Sequence, residues 1–327
     1  MNNFLITGGC GFLGTSLIKK LIEFDKNVNI RVIDNLSVGS LNDLNQVCKF
    51  HELNKSDLKD SPNGVELVIG DILDAELANY VSMGCDVIVH FAANTGVGPS
   101  VDNPRLDMSS NIIGTLNYLE AARKNKIFRF IFASSSAPIG EVNPPIHEEL
   151  APHPVSPYGA SKLAGEGYCS AYKKTFGINT VALRFGNVYG PGSIHKSSVV
   201  AKFIQKALSG NKLEIYGDGN QTRDFLYVDD LIEAVMLSIK KNNIGGEIFQ
   251  VATNSETTIN ELTEILVNEL SQHGIKNIKL QKISPRIGDV KRNYSDTSKS
   301  KKLLGWQSRT KLKDGISRTV SYFINKL

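Results

Sequence analysis

Phe4-Leu-Ile-Thr-Gly8-Gly9-Cys10-Gly11-Phe12-Leu13-Gly14 sets a short apolar run against a cluster of glycines, and a helix-like segment follows directly. Gly9, Gly11 and Gly14 fit G-x-G-x-x-G, and Gly8, Gly11 and Gly14 fit a three-residue period. A Cβ at these places would block a tight turn or the approach of a pyrophosphate. The free N–H groups at the helix start offer donors and the positive end of the dipole. Glycines alone read equally well as turn residues. Here the context is complete: a strand before, a helix after, and an acid, Asp34, ending the second strand 20 residues beyond Gly14. A carboxylate there accepts hydrogen bonds from ribose hydroxyls and repels a 2′-phosphate, which favours NAD over NADP. Asp71, after the run Glu66–Gly70, is placed to reach the adenine.

Outward from this stretch, further apolar runs recur at Ile30–Asp34, Glu66–Gly70, Asp86–Phe91, Phe128–Ala133 and Thr180–Phe185. Several are apolar throughout, as strands buried on both faces of a parallel sheet are. Helix-like segments lie between them near 11–24, 73–82, 105–125 and 157–176. The alternation predicts an α/β fold: a doubly wound parallel (Rossmann) sheet whose strand C-termini share one ligand-binding edge. The pattern loosens after residue 186. Helices are expected near 197–209, 228–241, 258–272 and 311–326, with short strands at 213–216 and 247–251. We read 1–186 as the NAD-binding unit and 187–327 mainly as a smaller α/β substrate-binding lobe at the C-terminal end. A segment about 225–255 returns to the first unit. The Lys-rich 299–302 reads as a solvated helix face.

The chain has 327 residues, 41% hydrophobic and 21% charged, which is ordinary globular composition. A net charge of +4 gives no support for a nucleic-acid or membrane partner built on bulk charge, though it permits a few Arg focused on a small anion. Cys10, Cys48, Cys85 and Cys169 form no C-x-x-C pair, and the six histidines show no ligand spacing, so no metal is expected. There is no signal-peptide pattern and no run of roughly 18 apolar residues. A cytoplasmic location is the expectation.

Tyr158-Gly-Ala-Ser-Lys162 puts Tyr and Lys one helical turn apart on one face. A tyrosine is a poor base at neutral pH unless nearby positive charge favours its phenolate. By itself the pair reads as a surface contact. Its position after Ser134-Ser135-Ser136, at the end of the fifth predicted strand, brings hydroxyls to the ligand-binding edge.

With these residues in view, the chain resembles the extended short-chain dehydrogenase/reductase family, and within it the nucleotide-sugar epimerases and dehydratases. The likeness runs from end to end: Thr7–Gly14, Asp34-Asn35, Gly70-Asp-Ile72, His90–Ala93, Asn111–Thr115, Ser134–Ser136, Ser156–Lys162, Arg184–Pro191, Gln221–Asp230 and Arg286–Asp289. The resemblance implies that Gly8, Gly11, Phe12, Leu13, Gly14, Asp34, Asn35, Asp71, Ile72, Ala92 and Asn111 line an NAD site. It implies that Lys162 holds the nicotinamide ribose, that Tyr158 is the acid/base, and that Ser135 bonds the reacting hydroxyl. Asn187, Arg223 and Arg286, with Asp289, match substrate positions. Arg presents a fixed fork suited to phosphate oxygens.

Dehydratases of this family carry an Asp-Glu pair beside the Ser/Thr, and decarboxylases a Glu. This chain has Ser136 and Ala137 there. The resemblance then implies 4-epimerisation of a nucleotide-diphosphate sugar, UDP-sugars first, through a 4-keto intermediate. A 4-dehydrogenase, an epimerase of CDP-, GDP- or dTDP-sugars, and a non-catalytic NAD-binding sensor stay open. Pro138-Ile139 replaces the family's usual aromatic before Gly140 and is expected to reshape the sugar pocket. Asn293 stands where some relatives carry a gating Tyr, and reads either as room for an N-acetyl group or as a solvent-facing strand residue. The resemblance also implies a homodimer through a bundle of the helices near 105–125 and 157–176.

Overall fold

The computed structural model describes residues 1–285 and 290–326. Eight strands form one wholly parallel sheet: β1 (Asn3–Thr7), β2 (Asn29–Asp34), β3 (His51–Glu52), β4 (Val65–Ile69), β5 (Val87–His90), β6 (Arg129–Ser135), β7 (Asn179–Phe185) and β8 (Glu247–Val251). Their order is β8-β7-β6-β5-β1-β2-β4-β3. The chain runs outward from β1 to one side and then resumes at β5 on the other. The strand order therefore reverses beside β1, and a crevice opens there at the C-terminal ends.

Both faces of the sheet are covered, and each strand feeds both. In β1, Phe4 and Ile6 join one apolar layer while Leu5 joins the other. In β6, Ile131 points one way and Phe130 and Phe132 the other. That accounts for apolar runs with no polar alternation. The first layer takes Leu17, Ile18 and Leu21 of α1 (Phe12–Phe24). The second takes residues of α2 (Ala75–Val81), α3 (Gly114–Lys124) and α4 (Pro157–Phe176).

Strands β1, β2, β4, β5, β6 and β7 answer the six apolar runs. β3 was not anticipated: two exposed residues carry no pattern to read. The helix expected over 105–125 is three pieces, Pro104–Met108, a single π-helical stretch Ser109–Ile113, and α3.

Beyond β7 the chain leaves the sheet. Asn187–Tyr189 pairs in parallel with Phe225–Tyr227, Leu213–Tyr216 with Leu280–Ile283, and Thr222–Arg223 lies antiparallel to Thr257–Thr258. Helices α5 (Val199–Leu208), α6 (Val228–Lys240), α7 (Ile259–Gln272) and α8 (Leu312–Lys326) complete this part. β8 rejoins the main sheet beside β7. Among 299–302, Lys301 and Lys302 are exposed, while Lys299 pairs with Glu247 at 2.8 Å. Among the described residues no helix is long and apolar enough to cross a membrane.

Candidate active site

The glycine loop joins β1 to α1 in the form its sequence demands. Gly8 has φ +67°, and its N–H donates to Ile33 O at 2.8 Å, tying the turn to β2. A Cβ on Gly8 would lie 2.9 Å from Ala92 N, and one on Gly14 would lie 2.4 Å from Gly8 O. α1 starts at Phe12 with Gly11 as its N-cap, and no side chain caps it. Its first N–H groups are thus left for a ligand.

Asp34 accepts from Cys10 N and Leu36 N, each at 2.9 Å. Burial pushes its carboxyl above the usual range, and these N–H donors pull it back. Asn35 Nδ2 donates to Asp71 Oδ2 at 2.9 Å, linking the ends of β2 and β4. Thr7 Oγ1 accepts from Ala92 N at 3.1 Å and contacts His90 Nδ1 at 2.9 Å. His90 is fully enclosed, and burial holds it neutral, down to about 3. Phe12 and Leu13 pack on the first core layer. The side chain of Ile72 lies in the second layer, where a Cβ on Gly114 would come within 2.6 Å of it. The open helix start, the Cβ-free cradle and the buried carboxylate at the end of β2 together fit a dinucleotide with a free ribose 2′-hydroxyl.

α4 carries the Tyr–Lys pair, and its ends are written in its sequence. Ser156 caps it by accepting from Gly159 N at 3.1 Å, Pro157 opens it, and Gly177 closes it at φ +75°. The helix lies tight on β6 because Gly165 has no side chain: a Cβ there would sit 2.3 Å from the Phe132 ring. This approach lets Lys162 Nζ donate to Ala133 O at 2.9 Å. Ser135 ends β6, its Oγ accepts from Ala137 N at 3.2 Å, and it lies beside the Tyr158 hydroxyl, where it favours the phenolate. Burial pushes Tyr158 up to about 12, against the effect of Ser135, and holds Lys162 down to about 8, against Asp107 and Glu166. Glu166 is itself engaged by both Nε and Nη2 of Arg184 at 2.7 Å and by Ser134 Oγ at 2.5 Å.

Asn111 sits in the π-helical stretch. Its Nδ2 lies 2.9 Å from Asn94 O, 2.9 Å from Asp107 Oδ1 and 3.0 Å from Ser161 Oγ, and its Oδ1 accepts from Asn94 N at 2.8 Å. It thus ties the segment after β5 to α4 beside Tyr158. Asp107, Asn94 and Ser161 were missed by the sequence reading. The i, i+4 spacing of Asp107 and Asn111 was the available signal for the first. Asp107 is 1% exposed, and its Oδ2 has no hydrogen-bond partner.

On the lobe side, Asn187 Nδ2 donates to Asp224 O at 3.3 Å, and Arg223 Nη1 donates to Val290 O at 2.8 Å. Arg286 and Asp289 lie outside the described residues. Ile139 is fully buried, so any influence of the Pro138-Ile139 pair on a pocket passes through packing. Asn293 is half-buried and not in a strand; its N–H reaches Thr222 Oγ1 at 3.4 Å.

Residues 4–252 match the model of the NAD dependent epimerase/dehydratase family. A putative UDP-glucose 4-epimerase of Methanocaldococcus jannaschii is 37% identical over 326 residues, 98% of each chain. Among solved structures, a UDP-glucose 4-epimerase of Thermotoga maritima with UDP-glucose is similar at TM-score 0.87 and 34% identity, covering 99% of each chain. A UDP-N-acetylglucosamine 4-epimerase of Methanobrevibacter ruminantium in complex with UDP-N-acetylmuramic acid is similar at TM-score 0.88 and 31% identity, covering 100% of this chain and 99% of that one. The chain belongs to the NAD-dependent epimerase/dehydratase family of extended short-chain dehydrogenases/reductases, and its cofactor is NAD.

Proposed function

We propose that the protein inverts C4 of a nucleotide-diphosphate sugar, a UDP-sugar first, through a 4-keto intermediate. The observation that carries the reading is the Ser135–Tyr158–Lys162 cluster at the β6 edge, flanked by Ser136 and Ala137 where removal of water would need an acid and a base. Bound NAD supplies a hydride acceptor at the sugar carbon and returns the hydride, with no net redox change.

The chain's own groups do the rest. Tyr158 Oη takes the C4 hydroxyl proton, and Ser135 orients that hydroxyl. Lys162 adds positive charge that favours the phenolate. Asn111 and Ser161 fix the start of α4. With the C4 hydride taken by the bound NAD, loss of the proton would leave a planar ketone, and turning it over before hydride and proton return would give the other epimer. Asn187 and Arg223, with Arg286 and Asp289, are assigned to the substrate, the arginines meeting its diphosphate. Leu106, Met108, Ile113, Tyr168 and Phe176 are exposed apolar residues on the helical segments expected to pair in a homodimer.

A panel of UDP-, CDP-, GDP- and dTDP-sugars incubated with the NAD-loaded protein, read by NMR of the anomeric and C4 protons, tests the reading. A C4 epimer of a UDP-sugar is expected. Net NADH with no epimer would identify a 4-dehydrogenase, and no reaction with any of the panel would sink the proposal.

A further inference from the structure

The segment Gly190–Ser198 leaves the strand Asn187–Tyr189 and crosses back over the glycine loop before α5 begins. It is an ordered strap. Ser193 Oγ donates to Gly190 O at 2.7 Å, Lys196 N donates to Ser193 O at 3.0 Å, and Gln205 donates to Ile194 O. Gly192 has φ +88°, and a Cβ there would lie 3.3 Å from the ring of Phe12, the first residue of α1. His195 Nε2 lies 3.3 Å from Asp43 Oδ2, which anchors the strap to the short helix Leu41–Asn45 after β2.

One residue beyond His195, Lys196 lays its ammonium over Phe12, with Nζ 5.2 Å from the ring centre. Among the described residues no carboxylate lies within 4 Å of Nζ, and the Phe12 ring is the group it contacts. Burial holds this lysine down to about 8. A partly buried ammonium with no counter-ion is costly, and an arriving anion removes the cost. Phe12 is itself the first residue of the uncapped α1, so a dinucleotide's diphosphate on those N–H groups would bind beside the ring that the ammonium covers.

We propose that Lys196 is a clamp on the diphosphate of the bound dinucleotide, so that the Gly190–Ser198 strap closes the cofactor site from the lobe side. The inference rests on the NAD dependence of the family and not on the C4 reaction. It is read by binding alone, so its failure and that of the proposed reaction are separable.

The test is calorimetric titration of NAD into the full chain as wild type, Lys196→Gln and Lys196→Arg, with UDP titrated into each NAD-loaded protein and a thermal melt of each variant. A charge-assisted contact to phosphate predicts about a tenfold to hundredfold weaker NAD for Lys196→Gln. Lys196→Arg, which keeps the charge, is expected to restore most of the affinity, and UDP binding is expected to stay as in wild type. Unchanged NAD affinity in Lys196→Gln overturns the proposal. Weakened UDP with unchanged NAD also overturns it, by moving the lysine to a substrate diphosphate. Equal loss in Lys196→Arg and Lys196→Gln, with melts unaltered, overturns it by showing that strap packing and not charge is at stake.

Discussion

Lys162 Nζ lies 5.8 Å from the centre of the Tyr158 ring while donating to Ala133 O at 2.9 Å. The ammonium lies beside the aromatic ring and is pinned to β6 rather than to the tyrosine. With burial pushing Tyr158 up to about 12, the resting residue is a phenol near neutral pH. In the proposed reaction the charge of oxidised nicotinamide would be the further stabiliser of the phenolate.

Tyr158→Phe removes the proposed proton carrier and keeps the ring. Turnover of the epimerised sugar is expected to fall by about 10²–10⁴-fold, the range for loss of a general acid/base. NAD affinity, measured by calorimetry, should change by less than about threefold. Turnover within about tenfold of wild type would refute the role.

Lys162 gives stability a defined pH dependence. Its pKa is held down to about 8, from an ordinary 10.5, by burial. Between those two values the unfolded chain binds the proton and the folded chain does not, so folding gains as pH rises. Below about 8 the full cost of the buried ammonium is present. Lys162→Met, of similar length, lacks that cost. Urea unfolding at pH 7.5 and pH 9.5, on the order of the two ends of this window, should show wild type gaining on the variant at the higher pH. The same difference at both pH values would show that the ammonium is not desolvated.

Asp34→Ala removes the acceptor at the end of β2 and frees the N–H groups of Cys10 and Leu36. NAD is expected to bind about tenfold more weakly or worse, as for loss of hydrogen bonds to a charged group. The preference for NAD over NADP should fall with it, because the charge that repels a 2′-phosphate is gone. Titration of both dinucleotides decides: an unchanged ratio would mean that this carboxylate does not read the ribose.

Gly165→Ala should act on stability and catalysis together. The added methyl would meet the Phe132 ring at 2.3 Å, in a fully buried layer. The expected cost is about 1–3 kcal/mol in urea unfolding. Moving α4 off β6 also lengthens the Lys162–Ala133 bond, so turnover should drop more than NAD affinity does. A variant as stable and as active as wild type would show that the helix–strand approach is slack.

Six of the eight sheet strands were legible as apolar runs, several of them unbroken because both faces are buried; in β2 and β4 the run is interrupted by Arg31 and Glu66, which pair in the interior at 2.8 Å. β3 was not, since His51 and Glu52 are exposed and paired only through the backbone. The Glu247–Val251 strand was legible as a strand, and the pairing that puts it beside β7 is a matter of tertiary register. Tyr158 and Lys162 were legible from their spacing, and Asn111 from the family resemblance. Asn94, Asp107 and Ser161 were not: each is an ordinary polar residue until Asn111 gathers them at one amide.

By itself the sequence determined the parallel sheet, the glycine turn, the acid at the end of β2 and the capped helix bearing Tyr158 and Lys162. These are local consequences of backbone sterics, capping and periodicity, and each needs only a few neighbouring residues. The tertiary structure decided which strand end faces that helix, how closely Gly165 lets it approach Phe132, and that Ser135 meets the Tyr158 hydroxyl. It alone placed Lys196 over Phe12 without a counter-ion among the described residues. Such pairings join residues far apart in the chain. Only the close packing of side chains on the finished sheet selects them.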